Sequence, residues 1–543
     1  MLAESCGLGL TAAQVLLHRG IRDAAEAGPF LDAKLSGLSP PGPMTDRAPA
    51  SKRIARAIRA RERIVVFGDY DVDGTTSALF LSEVIATLGG EVRTLIADRF
   101  HGGYGLSALA LDRCLTERPA VIVTCDCGSS DHERIAKAMA NGIDVIVVDH
   151  HLVPEERLPA FAFLNPHRPE CAFEYKGLCS AGLAFSLSAA IRAEMDVQLD
   201  LRPWLDLVAI GTIADVAPLT GDNRRLVRAG LKILGSSKTR PALLALRQAA
   251  KIPETAQLTA TDVAFRFSPR LNAPGRLGAA DLTLRLLSAR THEEARGLLQ
   301  QVEVSNDERK FLTKHATEEA RAQVLALYGD APKEGVIVAS DVWHRGVVGI
   351  VAARLVDAFG VPAVVIAFDG ELGHGSARTT PDFDVHRALA ACASNLSAWG
   401  GHRAAAGISL SRSALDAFRA SFAQATRGAD FGKMRATQID VSLGGAFGVP
   451  TVEDLRRLGP FGEGHPVPTF LVDANVIEAT AVGEGRVHGK LKLQIGRDSV
   501  RAFAPDLFAR IEGRNALRLI GEFQPDHWMG GRSVELLVKD VLG

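Results

Sequence analysis

Four stretches of this chain share one design: an apolar run that stops at a carboxylate or an imidazole. IVVF at 64–67 runs into GDYDVDGTT, which places Asp69, Asp71 and Asp73 at alternate positions with Gly74 next. VIVTC at 121–125 ends at Asp126 in CDCGSS, and DVIVVD at 144–149 ends at Asp149, His150 and His151. AIGTIADVAPL carries the fourth acid, Asp215. VRTLIA at 92–97 keeps the rhythm, and each run leads through a loop into helix-compatible sequence. Such alternation predicts a parallel α/β sheet with polar loops at the C-terminal strand ends. Open sheets of this kind bind ligands along that edge. Read as strand ends, the four motifs converge there.

Three carboxylates as close as Asp69, Asp71 and Asp73 repel one another, and gathering them without a multivalent cation costs stability. Mixed carboxylate and imidazole donors suit Mn²⁺ or Mg²⁺ better than a thiolate-rich zinc site does. Shared carboxylates suit a pair of ions, the arrangement used for in-line displacement at phosphorus. Taken singly, a D-x-D after a strand is as often a turn with Asx hydrogen bonds. Adjacent histidines alone are more often a satisfied loop pair than ligands. Four motifs together are hard to explain that way, because desolvated unpaired carboxylates are costly.

At 543 residues the chain is long enough for roughly three to four domains. Residues 1–50 combine a short helical pattern with Pro40, Pro41 and Pro43, which read as a loop or linker. A basic helix from Ser51 leads into the parallel-sheet domain, expected over 51–290, with 204–250 helical and Leu/Ala-rich. A long helix with Gly297 as its only glycine spans Thr291–Tyr328 and reads as a connector over 291–332. A second, smaller α/β domain is expected over 333–430: VIVA at 336–339, a helix over 347–359, VPAVVIAF at 361–368 and a Gly-rich loop at 400–407. From about Gln438 short alternating strands predict a small β-barrel within 431–543.

Sixty-two basic against 63 acidic residues leave a net charge of -1. This excludes both a polycation that binds nucleic acid by bulk charge and an acidic disordered chain. Forty-eight of the 62 basic residues are Arg. A GC-rich coding background explains that bias, as do Arg forks for phosphate. Seven cysteines without a C-x-x-C pair read as reduced thiols. No basic n-region precedes an apolar core, and no apolar run reaches the ~18 residues of a membrane span. The expectation is a cytoplasmic protein with no membrane contact.

DVDGTT also resembles the aspartyl-nucleophile loop of haloacid-dehalogenase-type phosphatases. Those require a later Lys and an acidic pair after a strand, whereas the later runs here end in Asp126 and Asp149-His150-His151. The fuller resemblance, from about Lys52 to Val541, is to the DHH phosphoesterase family and, within it, to the RecJ-type single-strand-specific exonucleases. It is carried by GDYDVDGTTS, RFHGGYGLS, TCDCGSS, VVDHH, GTIADVAPL, RLNAPGRLGAA, WHRGVVGIVAARL, GSAR, GGHRAAAG and PFGEGHP.

The resemblance implies Asp71, Asp73, Asp126, His150 and Asp215 as metal ligands, Asp69 as an additional one, and His151 as a contact to the scissile phosphate. Asp126, His150 and His151 would be the catalytic core. Many DHH enzymes have a His four residues before the first Asp of the D-x-D pair; Phe67 stands there. Arg99 resembles a residue that holds the terminal phosphate, and Ser376 with Arg378 match a 5′-phosphate pocket. His344, in WHRGVVGIVAARL, joins them as a substrate contact. Gly400, Gly401 and His402 resemble the substrate-binding motif of the DHH-associated domain. Arg270, Asn272 and Arg276 would shape the DNA path or support the metal site; a capping and packing loop explains them equally. The barrel resembles an oligonucleotide-binding (OB) fold. It is not basic overall, but Lys490, Lys492, Arg501 and Trp528 could line a groove; Trp528 could equally pack the barrel.

The implied activity is metal-dependent 5′-to-3′ hydrolysis of single-stranded DNA to 5′-mononucleotides, in DNA repair and recombination, with a passage too narrow for duplex. Implied partners are DNA with a 5′ end, a single-strand-binding protein and a helicase, around a monomer. Two other readings share part of the pattern. A DHH phosphodiesterase for short oligonucleotides or cyclic dinucleotides needs neither the barrel nor the long helix. A degenerate DHH scaffold that binds single-stranded DNA would lack ligands, and only the Phe67 position departs here.

Overall fold

In a computed structural model, which describes all residues except 237–238, 255, 433–436, 527–528 and 543, the apolar runs at 64–67, 92–97, 121–125 and 144–149 become strands where expected. β1 (Arg63–Gly68), β2 (Glu91–Ile96), β3 (Val121–Cys125), β4 (Asp144–Val148) and β5 (Ala162–Leu164) form one parallel sheet in the order β2-β1-β3-β4-β5. Its inner strands are apolar on both faces, as a sheet covered on both sides requires. One face packs Val66, Val123 and Ile146 into a large core with the helices Val72–Thr87, Ser180–Glu194 and Leu205–Ala214. The other packs Val65, Phe67, Ile122 and Val145 against Leu106, Leu111 and Ile135. Phe67 is fully buried in that second core, so the position where many DHH enzymes carry a His serves only packing.

AIGTIADVAPL is not a strand end. Leu205–Ala214 is a helix with every residue but Ala214 buried, and Asp215 is its C-cap. A helix that is apolar all round cannot be told from a buried strand by its run of apolar residues. Gly211 shows how tightly it is packed: a Cβ there would lie 2.5 Å from Thr76 Oγ1 and 2.8 Å from Asp73 Oδ1.

The chain divides into two compact units, residues 1–302 with 438–543, and residues 303–437; the division falls within the long helix His292–Tyr328. In the second unit β6 (Val336–Ser340), β7 (Ala363–Asp369), β8 (Leu372–Arg378), β9 (Ala398–Gly401) and β10 (Ala405–Ser411) form a mixed sheet in the order β6-β7-β8-β10-β9. The stretch at 400–407 is thus a β-hairpin rather than a Gly-rich loop, with Gly401 opposite Ala406 and Gly400 opposite Gly407.

The C-terminal barrel is built from β11 (Val441–Ser442), β12 (Thr469–Val482), β13 (His488–Ile495), β14 (Asp498–Ala504), β15 (Ala516–Pro525) and β16 (Val534–Leu542), and the β12–β15 pairing closes it. Its core includes Leu8, Ala12, Val15, Leu16, Ala27 and Leu31. The helical pattern expected within residues 1–50 forms the helices Leu2–Cys6, Leu10–His18 and Ala24–Leu31, which supply part of the barrel core, while Pro40, Pro41 and Pro43 lie in a loop.

Arg224 ties this assembly to the parallel-sheet domain. Its buried guanidinium lies 3.7 Å from the centre of the Phe30 ring and donates to the carbonyls of Phe30 (3.0 Å), Leu458 (2.8 Å), Gly459 (2.8 Å) and Pro460 (3.3 Å). Five planar N–H donors suit such a ring of carbonyls, which an ammonium could not span.

Candidate metal centre

Strands β1, β3 and β4 end side by side, and their C-terminal residues meet the C-cap of the Leu205–Ala214 helix. At the first of them, the end of β1 and the helix that follows it are pressed together at two backbone positions. A Cβ at Gly68 would lie 2.3 Å from the Gly74 carbonyl oxygen, and one at Gly74 would lie 2.5 Å from the Asp69 nitrogen. Gly74 thus lets the helix Val72–Thr87 start directly against the strand it follows.

His150 is the hub. Its Nε2 lies 3.1 Å from Asp126 Oδ1, 3.7 Å from Asp215 Oδ1 and 3.9 Å from Asp73 Oδ2. The ligand atoms of Asp126, His150 and His151 lie within 4.8 Å of one another, as do those of Asp73, His150 and Asp215. Two cation-sized groups thus share one imidazole. Asp126 stands at φ 65°, a left-handed conformation uncommon outside glycine and of the kind that collects at functional sites.

Asp71 and Asp69 have backbone partners beside these groups. Asp71 caps the Val72–Thr87 helix by accepting from Gly74 N–H at 3.0 Å, and Asp69 is buried with its Oδ1 3.4 Å from Gly105 N.

Electrostatics define what this cluster can hold. Burial raises the Asp126 carboxyl well above the usual range, and the charges of Asp71, Asp73 and Asp215 add to the effect. Asp69 is raised in the same way, by burial and then by Asp71. Asp73 is pushed up to about 7 by burial and Asp71, and Asp215 to about 9 by burial, Asp73 and Asp71. The protein thus holds neighbouring carboxylates that resist ionising together. Multivalent cations relieve that repulsion, and the oxygen and imidazole donors fit hard divalent ions. Burial lowers His150 to about 4, so its ring is neutral near pH 7 and keeps a lone pair for a cation.

His151 is the opposite case. Burial pulls it down, but the hydrogen bond and charge of Asp149, aided by Asp215 and Asp71, carry it up to about 9. A cationic ring beside the cluster suits contact with a phosphate.

Several residues without an assigned role complete the site. Asp149 accepts from Ser129 N–H (3.0 Å), His150 N–H (2.8 Å) and His151 Nδ1 (2.7 Å), and its carboxyl is held well below the usual range despite its burial, by His151 and His150. Tyr104, in RFHGGYG, donates to the Asp126 carbonyl at 3.1 Å and lies 3.0 Å from His151 Nδ1. Asp73 accepts from Ser180 N–H (2.8 Å) and Ala181 N–H (2.9 Å) at the start of the Ser180–Glu194 helix, and from the Cys179 thiol (3.3 Å). The small-residue run Cys179–Gly182 ahead of a helix is the only sequence signal for those contacts.

RLNAPGR proves helical, with Ser268–Leu271 and Ala273–Arg276 following a π-helical turn at Val263–Phe267. Gly275 abuts the Asp69–Asp73 loop: a Cβ there would lie 2.5 Å from the Tyr70 carbonyl oxygen. The Arg99 guanidinium stands 5.3 Å from the Tyr70 ring centre, and Arg276 bears electrostatically on the same tyrosine. Asn272 is the C-cap of Ser268–Leu271, and Arg270 donates to the Arg266 carbonyl at 2.6 Å. Arg99, Gly275 and Arg276 therefore border the Asp69–Asp73 loop through Tyr70, while Arg270 and Asn272 make local helix contacts.

In the second unit, Ser376 and Arg378 on β8 face the first turn of the helix Val348–Phe359. A Cβ at Gly349 would lie 3.0 Å from both Ser376 Oγ and Arg378 Nη2. A hydroxyl, a guanidinium and a helix N-terminus, all groups that favour anions, thus lie together. Register puts Ser376, Gly407 and Gly400 in one row across β8, β10 and β9. His402 closes the hairpin by donating its N–H to the Ala405 carbonyl at 2.8 Å, and His344 Nδ1 accepts from Gly346 N–H at 3.1 Å. On the barrel, Lys492 pairs across strands with Arg501 and Lys490 with Phe503. Trp528 lies outside the described residues.

Comparison with known proteins agrees with this construction. Residues 63–212 match the DHH family, N-terminal domain, residues 333–428 the DHHA1 domain, and residues 444–540 the RecJ OB domain. The fold is thus that of a DHH-family protein. The single-stranded-DNA-specific exonuclease RecJ of Bacillus subtilis is 32% identical over 556 residues, covering 99% of this chain and 69% of that protein. The corresponding Thermus thermophilus protein is 34% identical over 484 residues, covering 88% and 68%. A crystal structure of T. thermophilus RecJ in complex with Mn²⁺ superposes with a TM-score of 0.82 at 29% identity, over 100% of this chain and 77% of that one. A second, with Mg²⁺, gives 0.77 at 28% identity, over 100% and 76%. The chain belongs to the RecJ family of single-stranded-DNA-specific exonucleases.

Proposed function

We propose that the chain is a metal-dependent exonuclease that hydrolyses single-stranded DNA from its 5′ end and releases 5′-mononucleotides. The observation that carries this reading is His150 Nε2 standing among the carboxylates of Asp126 (3.1 Å), Asp215 (3.7 Å) and Asp73 (3.9 Å). Asp73, Asp126, His150 and Asp215, with Asp69 and Asp71 beside them, are assigned as holding two divalent cations, Mn²⁺ or Mg²⁺. Bound there, the ions would lower the pKa of water and screen phosphate charge. Neutral His150 contributes its lone pair, and cationic His151, fixed by Asp149, binds a non-bridging oxygen of the scissile phosphate. Water attacks phosphorus and the 3′-oxygen departs. Ser376, Arg378 and the Val348–Phe359 helix N-terminus are assigned to the 5′-phosphate, with Arg99, His344, Gly400, Gly401 and His402 as further substrate contacts. Lys490, Lys492, Arg501 and Phe503 give the barrel a cationic and aromatic face for single-stranded DNA.

The direct test incubates the protein with 5′- and 3′-labelled single-stranded DNA and RNA, with Mn²⁺ or Mg²⁺, beside a duplex control. Label should leave the 5′ end first, as mononucleotide, from single strands; release from the 3′ end would sink the reading. Arg378→Ala should reduce the preference for 5′-phosphorylated over 5′-hydroxyl ends by about tenfold, the ~1.4 kcal/mol of one charge-assisted contact. An unchanged preference removes that residue from the pocket. The reading extends to a cytoplasmic monomer that works with a helicase and a single-strand-binding protein, which sizing and pull-down of the purified chain would check. No described helix is long and apolar enough to cross a membrane.

The raised carboxyls also set a pH dependence. Asp73 at about 7 and Asp215 at about 9 stand above their unfolded values, so the stability they lend the metal-free protein is full in acid and lost as pH rises through 7 to 9. A divalent ion must displace those protons and binds best where they are gone. Mg²⁺ should therefore raise the melting temperature more at pH 8.5 than at pH 6. Equal shifts at both values would contradict the assignment.

A further inference from the structure

PFGEGHP, residues 460–466, takes no part in the site as built above. It lies between the helix Val452–Leu458 and β12, in the same compact unit as the parallel sheet. Its backbone is applied to the loop that follows Asp215. The Glu463 carbonyl accepts from Leu219 N–H at 2.7 Å. A Cβ at Gly462 would lie 2.7 Å from Leu219 Cδ1 and 3.1 Å from its Cγ, so a side chain there would have to push Leu219 aside. Gly464, at φ 68°, would place a Cβ 3.3 Å from both Pro218 and Thr220.

The other side of the loop is held as well. The Tyr175 hydroxyl lies 3.1 Å from the Pro218 carbonyl and 2.9 Å from that of Thr220, and the Asn223 amide donates to the Pro218 carbonyl at 3.0 Å. Within the loop, Val216 stands at φ 61°, where a β-branched side chain is strained by about 1–2 kcal/mol. Its side chain is largely exposed, so its own packing does not enforce that conformation. Helix-end hydrogen bonds from Val216 N–H to Ile213 and from Ala217 N–H to Thr212 hold it, with the clamped loop beyond. Strain of this kind persists only where the surroundings over-determine it.

We propose that the PFGEGHP loop is a positioning element of the metal centre: by clamping residues 217–220 it holds the Asp215 carboxylate against His150 and Asp73. The chain's C-terminal part then acts on cation binding as well as on DNA. This rests on the metal assignment above, and the test separates the two.

The measurement is the Mn²⁺ dissociation constant of the full chain, from titration followed by the electron paramagnetic resonance of free Mn²⁺. Gly462→Val should weaken it about tenfold, as loss of support behind a metal ligand does. Leu219→Ala in the same chain, which vacates about the volume that valine adds, should restore it to within threefold. Leu493→Ala, a truncation inside the barrel, should lower the melting temperature and leave Mn²⁺ affinity unchanged. Where Gly462→Val does not fold, Gly464→Ala carries the same expectation. Wild-type affinity in the glycine variant, no restoration in the double variant, or equal weakening by Leu493→Ala would each overturn the proposal. His150→Ala, which removes the ring that both groups share, should lose Mn²⁺ altogether. Tight binding by that variant would overturn the metal assignment itself, whatever the glycine variants do.

Discussion

Asp126→Ala is expected to lower the rate of single-strand cleavage by at least about 10³-fold, ~4 kcal/mol of transition-state stabilisation, with little change in DNA affinity. Asp126 ends β3 in a left-handed conformation, its Oδ1 is 3.1 Å from His150 Nε2, and its backbone carbonyl holds Tyr104. Removing the carboxylate strips one cation-sized group of an acid and leaves His150 and His151 without its charge. The DNA contacts assigned to Arg378 and to the barrel face lie elsewhere in the chain, so binding survives. Metal-free filter binding and cleavage with Mn²⁺ would measure the two effects separately. His150→Ala should behave alike, because both groups share that ring. Cleavage by either variant within tenfold of the parent would remove the acidic edge from the reaction.

Arg224→Ala is expected to destabilise the unit made of residues 1–302 and 438–543 by about 3–5 kcal/mol, through carbonyl groups left buried without a donor. Its guanidinium serves Phe30, Leu458, Gly459 and Pro460 together, so one truncation loosens the N-terminal helices, the barrel and the parallel-sheet domain at once. Arg224→Lys should recover only part of the loss, because a point ammonium cannot reach carbonyls spread around a planar fork. Denaturant melts of the three proteins give the comparison. A loss below 1 kcal/mol for the alanine variant would mean that water satisfies those carbonyls.

Much of the centre was legible because it is local. Asp126 and His150 follow apolar runs directly, and a strand that ends in a polar turn announces itself within ten residues. Asp215 was legible as a participant but not in its setting, since Leu205–Ala214 is apolar enough to pass for a strand and became a buried helix. Contacts across long separations left no mark. Asp73 is held by backbone N–H groups of Ser180 and Ala181, and nothing in either segment names the other. The hairpin at Gly400 escaped detection because glycine and alanine give no alternation of apolar and polar residues. The fate of residues 1–50 was hidden in the same way: the helices Leu10–His18 and Ala24–Leu31 look marginal alone, and the core that takes them lies more than 400 residues downstream.

That shared core has a consequence for how the protein is made. Leu16 and Val15 leave the ribosome well before Leu493, Leu519 and Leu536, which share their core. At about 5–20 residues per second the early helices wait roughly 25–100 s for their partner. Throughout synthesis they present bare apolar faces, a natural station for a chaperone. A ribosome stalled before β12 would hold a nascent chain whose sheet domain can be complete while its first helices remain open to protease. Pulse proteolysis of such stalled chains would find the N-terminal segment cut until the barrel strands emerge.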